Sequence, residues 1–244
     1  AVIVILSLGN GMTNMMNSQF EKMGSNLIQV MTYGRGTGGT RDVDVEDLYE
    51  LVDKSPQYLT GVTPYVSASA KVRYQTDDYD RTSVYGVSEA FFKEDTKGTM
   101  QGETLAEGRF LSYIDVDRHQ NVCVIGDYLN RVAFGGNGLG QTLKIGANKF
   151  RIVGVLAAKV SDPDMQQGSD DDCVYLPYTT AMRLSSQSIV SNYAAVMEDE
   201  SRANEAKSAV EGELQHLLGS DNGYYVYSAS EWLEEMNKMI NMVI

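Results

Sequence analysis

GETLAEGRFLSYIDVDRHQNVCVIGDYLNRVAFGGNGLGQTLKIGANKFRIVGVL, the stretch from Gly102 to Leu156, decides the fold class. Three short apolar runs stand in it, Asn121–Ile125, Thr142–Ile145 and Phe150–Leu156. Each is rich in β-branched residues and bounded by Gly, Asn or Asp, so each predicts a strand. Between the first two, Leu129, Val132 and Ala133 recur at helical spacing, which predicts one helix over Asp127–Phe134. The stretch reads as a strand-dominated module closed by glycine turns, without a catalytic constellation.

Upstream, Asn26–Tyr33 (NLIQVMTY) reads as a strand. A helix follows over Val45–Lys54, with Asp44 as N-cap, Asp47 in the first turn, and Leu48, Leu51 and Val52 buried. Val62–Tyr74 is a long extended stretch that alternates from Val66, and Arg81–Val87 returns beside it across a polar turn of Asp77, Asp78 and Asp80. Residues 26–76 thus form a strand–helix–strand unit. Downstream, after Pro177, a short helix over Thr179–Ser185 leads to a second such unit. It consists of strand Ser191–Glu198, helix Ser201–Leu218 with Ala206, Ala209, Val210, Leu214 and Leu217 on one face, and strand Tyr224–Tyr227. Helical stripes also mark the two ends: Met12, Met15, Met16, Phe20 and Met23 near the start, and Trp232, Leu233, Met236, Met239 and Ile240 near the finish.

Composition narrows the function classes. The chain has 244 residues, 43% of them apolar and 22% charged, ordinary values for a folded protein with a real core. Its formal net charge is -13, from 20 basic and 33 acidic residues. Such a chain repels phosphate backbones and anionic lipid surfaces, so no nucleic-acid partner is expected. The end runs AVIVIL and MINMVI are far short of the ~20 apolar residues that cross a bilayer. They fit core segments, and they equally fit remnants of two membrane helices.

Several motifs come close to known chemistry and miss it. GRGTGG, Gly34–Gly39, matches G-x-G-x-x-G, but the following helix opens only at Asp44, so no helix N-terminus meets a pyrophosphate. GGNGLGQT, Gly135–Thr142, has Gln141 where a phosphate-binding loop needs lysine, and it joins helix to strand rather than strand to helix. KVSDPDMQQGSDDD, Lys159–Asp172, lacks the glycine and the final glutamate of a calcium loop, and reads as a solvated acidic loop. His119 and His216 lie far apart, with no close-spaced ligand or nucleophile partner. No G-x-S-x-G elbow occurs. No cofactor, metal or catalytic residue is expected.

The runs LAEGRF, NVCVIG, LGQTLKIG, FRIVGVL and DDCVYLPYTTAMRL, in this order, resemble the extracytoplasmic domain of MacB-like ABC transporter permeases, within the wider group of FtsX-like permeases. The resemblance extends upstream to LGNGMTNMMNSQFEKMGSNLIQV and VTPYVSASAKVRY. Its matching positions are Leu105, Gly108, Arg109, Phe110, Gly126, Leu139, Gly140, Ile145, Gly146, Gly154, Pro177 and Tyr178, expected as fold determinants rather than binding residues. The resemblance implies an α+β fold. A porter-like subdomain of two β-α-β units is built from both chain ends (26–86 and 189–228) around an inserted β-rich subdomain (87–188). Helical stalks at 1–25 and 229–244 lead to two membrane helices. It implies a non-catalytic domain on the extracytoplasmic side of the cell membrane. Its expected partners are the protein's own transmembrane helices, a cytoplasmic ATPase, a membrane-fusion adaptor, and a peptide, drug or lipoprotein substrate. The isolated domain is expected to be monomeric and the full-length protein dimeric. An extracytoplasmic location also permits a disulfide between Cys123 and Cys173; the other reading is two small buried side chains. A stand-alone extracellular solute- or peptide-binding module is the competing function.

Overall fold

The computed structural model describes residues 26–33, 41–219, 223–231, 234, 235 and 238. The expected stalk at 1–25, the glycine loop at 34–39 and most of the stalk at 229–244 lie outside them. In chain order, β1 (Leu27–Thr32) leads to α1 (Val45–Lys54), then β2 (Leu59–Ala68), β3 (Val72–Tyr74), β4 (Asp77–Tyr79) and β5 (Ser83–Val87). A short 3-10 turn over Glu89–Phe91 precedes β6 (Phe92–Lys93), β7 (Gly98–Thr99) and β8 (Leu105–Gly108). Then come α2 (Tyr113–Asp117), β9 (Val122–Ile125), α3 (Asp127–Phe134), β10 (Thr142–Ile145) and β11 (Asn148–Leu156). The chain closes with β12 (Cys173–Pro177), α4 (Tyr178–Leu184), β13 (Asn192–Met197), α5 (Ala203–Leu218) and β14 (Tyr224–Ser228).

The two strand–helix–strand units interleave. The strand order β14-β1-β13-β2 alternates strands of the first unit, β1 and β2, with strands of the second. Neighbours in this block are antiparallel, so the two strands of each unit are parallel and separated by one strand of the other. This is the split β-α-β arrangement of ferredoxin-like folds. Neither unit can close its sheet alone, so the two ends of the chain must fold together. Helix α1 starts where Asp44 donates its N–H to the Asp47 carboxylate at 2.9 Å, and it buries Val45, Leu48 and Leu51. Helix α5 buries Ala203, Ala206, Val210, Leu214 and Leu218. Both helices share one apolar cluster with Ile28, Val30, Val62 and Ala195 of the sheet.

Strand β2 joins this block to the rest. Its residues up to Pro64 pair with β13, and from Tyr65 onward they pair with β5. The sheet then runs β5-β12-β9-β11-β10-β3-β4, with β8 on β11. Pairs β5–β12 and β9–β11 are parallel. Of the strands expected with the first half of the porter-like unit, β3 pairs with β10 of the insert and with β4, and β5 pairs with both β2 and β12. Asp77 and Asp78, expected in a turn, lie in β4, because Lys71 and Arg73 flank Asp78 at 2.7 and 2.5 Å and hold a small second hairpin.

Alternation along the strands divides the interior. Val174 and Leu176 of β12 face the helical side, while Cys173 and Tyr175 face a second cluster with Phe91, Phe92, Phe110 and Leu111. Cys123 lies in the first cluster and Cys173 in the second. The two thiols are free and buried, one in each cluster, in keeping with the reading of two small buried side chains.

At the changeover in β2, buried Thr63 accepts hydrogen bonds from Ser88 N–H at 3.0 Å and sits 3.1 Å from the Ser88 hydroxyl. Thr63→Val keeps the shape and orphans a buried N–H. It is expected to cost about 1–3 kcal/mol in urea unfolding; a loss below experimental error would remove this contact from the account of the seam.

Candidate functional site

The motif residues separate into groups. Leu105, Gly108, Arg109, Leu139 and Gly154 converge where β8 meets β11. A Cβ on Gly154 would stand 2.0 Å from the Arg109 carbonyl oxygen, so only glycine lets these two backbones approach. Gly126 meets a separate constraint at the end of β9, where a Cβ would stand 2.1 Å from the Asp171 carbonyl oxygen. Gly140 donates its N–H to Ile152 O before β10, and Gly146 turns β10 into β11 after buried Ile145. Pro177 ends β12 and Tyr178 opens α4.

Around the first group lies a groove of about 630 Å³ between residues 89–97 and residues 105–113. Its closed end is pinned by the Leu105 N–H donating to Lys97 O at 3.2 Å, next to a bridge between Gly98 and Thr104. Phe92 and Phe110 contribute to its lining, stacked with centroids 5.2 Å apart. Glu89, Glu94, Lys97, Glu107 and Arg109 add charge. Arg109 is matched by Asp115, with Nη1 2.6 Å from a carboxylate oxygen. Burial pushes the Asp115 carboxyl up, but Arg109 and the Ser112 N–H and hydroxyl together hold it below its usual range. At the mouth, Tyr113 is 65% exposed, and its neighbour Ile114 is 60% exposed. Sequence reasoning did not find this groove. The available signal was two apolar residues, Tyr113 and Ile114, opening a helix that packs only through Val116 among its apolar side chains.

Two polar networks support this end of the insert. Glu103 is 3% exposed and accepts from the Tyr175 hydroxyl at 2.9 Å and the Thr99 hydroxyl at 2.9 Å. Nearby, the loop expected to be solvated is partly interior, and its Lys159 Nζ donates to Gln101 O at 3.2 Å. Asp171 accepts from the N–H groups of Lys159 and Val160, both at 2.9 Å. Asp172 accepts from the Thr82 hydroxyl at 2.5 Å and Gly168 N–H at 2.8 Å. Both carboxylates are buried because they replace the missing backbone partners of an irregular loop. Among the described residues, no three His, Cys, Asp or Glu side chains are grouped to hold a metal. His119 and His216 are exposed, on α2's trailing turn and on α5.

Burial raises the Glu103 carboxyl above its ordinary value, against the pull of Tyr175, Thr99 and Lys159. Its charged form therefore destabilises the fold. The favourable contribution is complete below the unfolded value of about 4.3, and it is lost as pH rises through the folded value. Glu103→Gln is expected to raise the melting temperature more at pH 8 than at pH 4; an equal shift at both would show that the carboxyl does not titrate here. Gly154→Ala is expected to cost at least about 2 kcal/mol by urea unfolding, and a neutral result would mean that the β8–β11 crossing can relax.

The sequence model of the MacB-like periplasmic core domain matches residues 1–213. The macrolide export ATP-binding/permease protein MacB of Pasteurella multocida is 27% identical over 244 residues, covering 98% of this chain and 35% of its own length. The same-named protein of Vibrio parahaemolyticus is 32% identical over 228 residues, covering 91% and 33%. The chain thus spans about a third of these relatives. In structure, the periplasmic region of MacB from Actinobacillus actinomycetemcomitans superposes with a TM-score of 0.68 at 21% identity, over 89% of this chain and 95% of the other. The extracellular domain of the noncanonic ABC-type transporter YknZ from Gram-positive bacteria gives 0.63 at 17% identity, over 83% and 100%. Those two likenesses fix the shared α+β architecture. With the match to most of its sequence, the chain belongs to the MacB-like periplasmic core domains, the extracytoplasmic part of a family of membrane transporters.

Proposed function

We propose that this domain is a non-catalytic lever of an ABC transporter permease. In this reading, ATP hydrolysis in a cytoplasmic ATPase domain moves membrane helices, and the domain carries that motion to an adaptor or substrate outside the membrane. The substrate would be a peptide, a drug or a lipoprotein, and a membrane-fusion protein would serve as adaptor. The domain alone would be a monomer, with dimer contacts supplied by the membrane helices. Residues 26–64 and 189–228 would act as the gripped half, and the strands from β5 through β12 as the half that is moved.

The observation that carries this reading is a register. Ile28 lies opposite Ser228 in the antiparallel pair β1–β14. The chain therefore enters and leaves the sheet at one place, side by side. Two helices attached there hold the domain at a single point of leverage, and no reacting residue is needed for coupling of this kind. Supporting it further, the helical face of the gripped half continues as one apolar cluster into the insert, so a displacement at β1 and β14 is not absorbed by a soft boundary.

The test is made in the full-length protein. Five-residue Gly-Ser linkers are inserted between Ser25 and Asn26 and after Glu231. Export is expected to fall by at least an order of magnitude while ATP hydrolysis persists. Undiminished export with both linkers present would end the lever reading.

A further inference from the structure

We propose that the groove beside β8 is a docking site for an extended polypeptide segment in which basic residues alternate with apolar ones. The inference rests on the domain working by protein contact outside the membrane, and it names where and with what.

The first observation is an open strand edge. Among the described residues, β8 pairs with β11 and with no other strand. Its register slips between Val155 and Leu156, so Ala106 has no opposite residue on β11. Ala106, Glu107 and Gly108 are all exposed and all line the groove. Upstream the edge is closed by the contacts of Lys97 and Gly98 with Leu105 and Thr104. Past Leu105 it is open. Such an edge is the element that binds an extended chain by strand addition, with main-chain bonds for affinity and pockets for alternate side chains.

The second observation is the character of the walls. One wall offers Phe92 and the other Leu105, Phe110 and the exposed Tyr113, which suits apolar side chains. Charge selects the others. Glu89, Glu94 and Glu107 make no ion pair among the described residues, and the wall sets one ammonium, Lys97, against these three carboxylates. Arg109 does not redress the balance, since Asp115 neutralises it. A lysine or arginine between apolar residues fits this wall, and an acidic segment is repelled. The volume of about 630 Å³ holds a few side chains, not a folded domain.

The probe is a fluorescein-labelled (Lys-Val)4 peptide titrated with the 244-residue chain, read by anisotropy at low salt. Two comparison peptides accompany it: (Glu-Val)4, and (Lys-Val)4 with alternate backbone nitrogens methylated. The protein is used as it stands and as the Glu94→Lys, Glu107→Lys double variant, whose melting temperature is checked against the parent. The expected result is saturable binding of (Lys-Val)4, weakened about tenfold by the double charge reversal and at least tenfold by methylation. The acidic peptide should not bind. Equal affinity for the methylated peptide would reduce the effect to charge attraction and overturn strand addition. Unchanged affinity in the double variant, or no binding of (Lys-Val)4 at all, would overturn the site. Either failure leaves the lever reading to the linker-insertion experiment, which does not involve the groove.

Discussion

The structure depends on one strand having two partners. β2 belongs to the ferredoxin-like block as far as Pro64 and to the insert from Tyr65. Proline has no N–H to give a ladder, and here it stands where the ladder changes hands. A central strand that spans both halves removes the hinge that a loop between them would supply. The buried Thr63–Ser88 contact locks the same point from the side. Both halves then share their helix-side core, from Val45 of α1 to Ala181 of α4. The two topological parts share one apolar cluster on the helical side.

The other side of the sheet is built differently. Its filling is aromatic: Phe91 lies 5.0 Å from Tyr175, and Phe110 lies 6.0 Å from it. Aromatic rings bring large area at low conformational cost. They cover the sheet with two short strands and a 3-10 turn. Tyr175 also needs a partner for its hydroxyl, and Glu103 provides it at the cost of a buried carboxyl. Groove and buried acid thus share an origin in covering one sheet face with irregular chain.

Local patterns were legible, and long-range partners were not. Helix α1 falls on the residues that periodicity predicts, with a capping residue and a buried apolar stripe, whereas α3 has the predicted bounds but buries Leu129 and Asn130 and leaves Val132 exposed. The strands over 142–145 and 122–125 were readable as short apolar, β-branched runs that each end at a glycine, Gly146 and Gly126. Helix α5 buries Leu218 rather than Leu217, a small rotation that spacing alone does not settle. Strand β4 reads as a turn in the sequence because Asp77 and Asp78 carry turn propensity, and only Lys71 and Arg73 beside Asp78 make a strand. The buried Asp171 and Asp172 look like any solvated acids until the N–H groups of residues 159, 160 and 168 are placed around them. The candidate site was hidden most fully. Its two walls are separate segments, 89–97 and 105–113, brought together by folding, and its charge excess depends on Asp115 having claimed Arg109.

The pairing of Ile28 with Ser228 has a consequence for how such a protein is assembled. Opposed residues in an antiparallel pair have Cα atoms about 4.5–5.5 Å apart. Seen from the segments before and after it, everything between these two residues is a loop whose ends nearly touch. Closing a loop costs entropy that grows only with the logarithm of its length when the loop is slack, and a folded domain has already closed it. The flanking segments can therefore meet as though joined by a short turn. A domain with this topology can be carried between two helices, enlarged or exchanged, without disturbing how those helices pack.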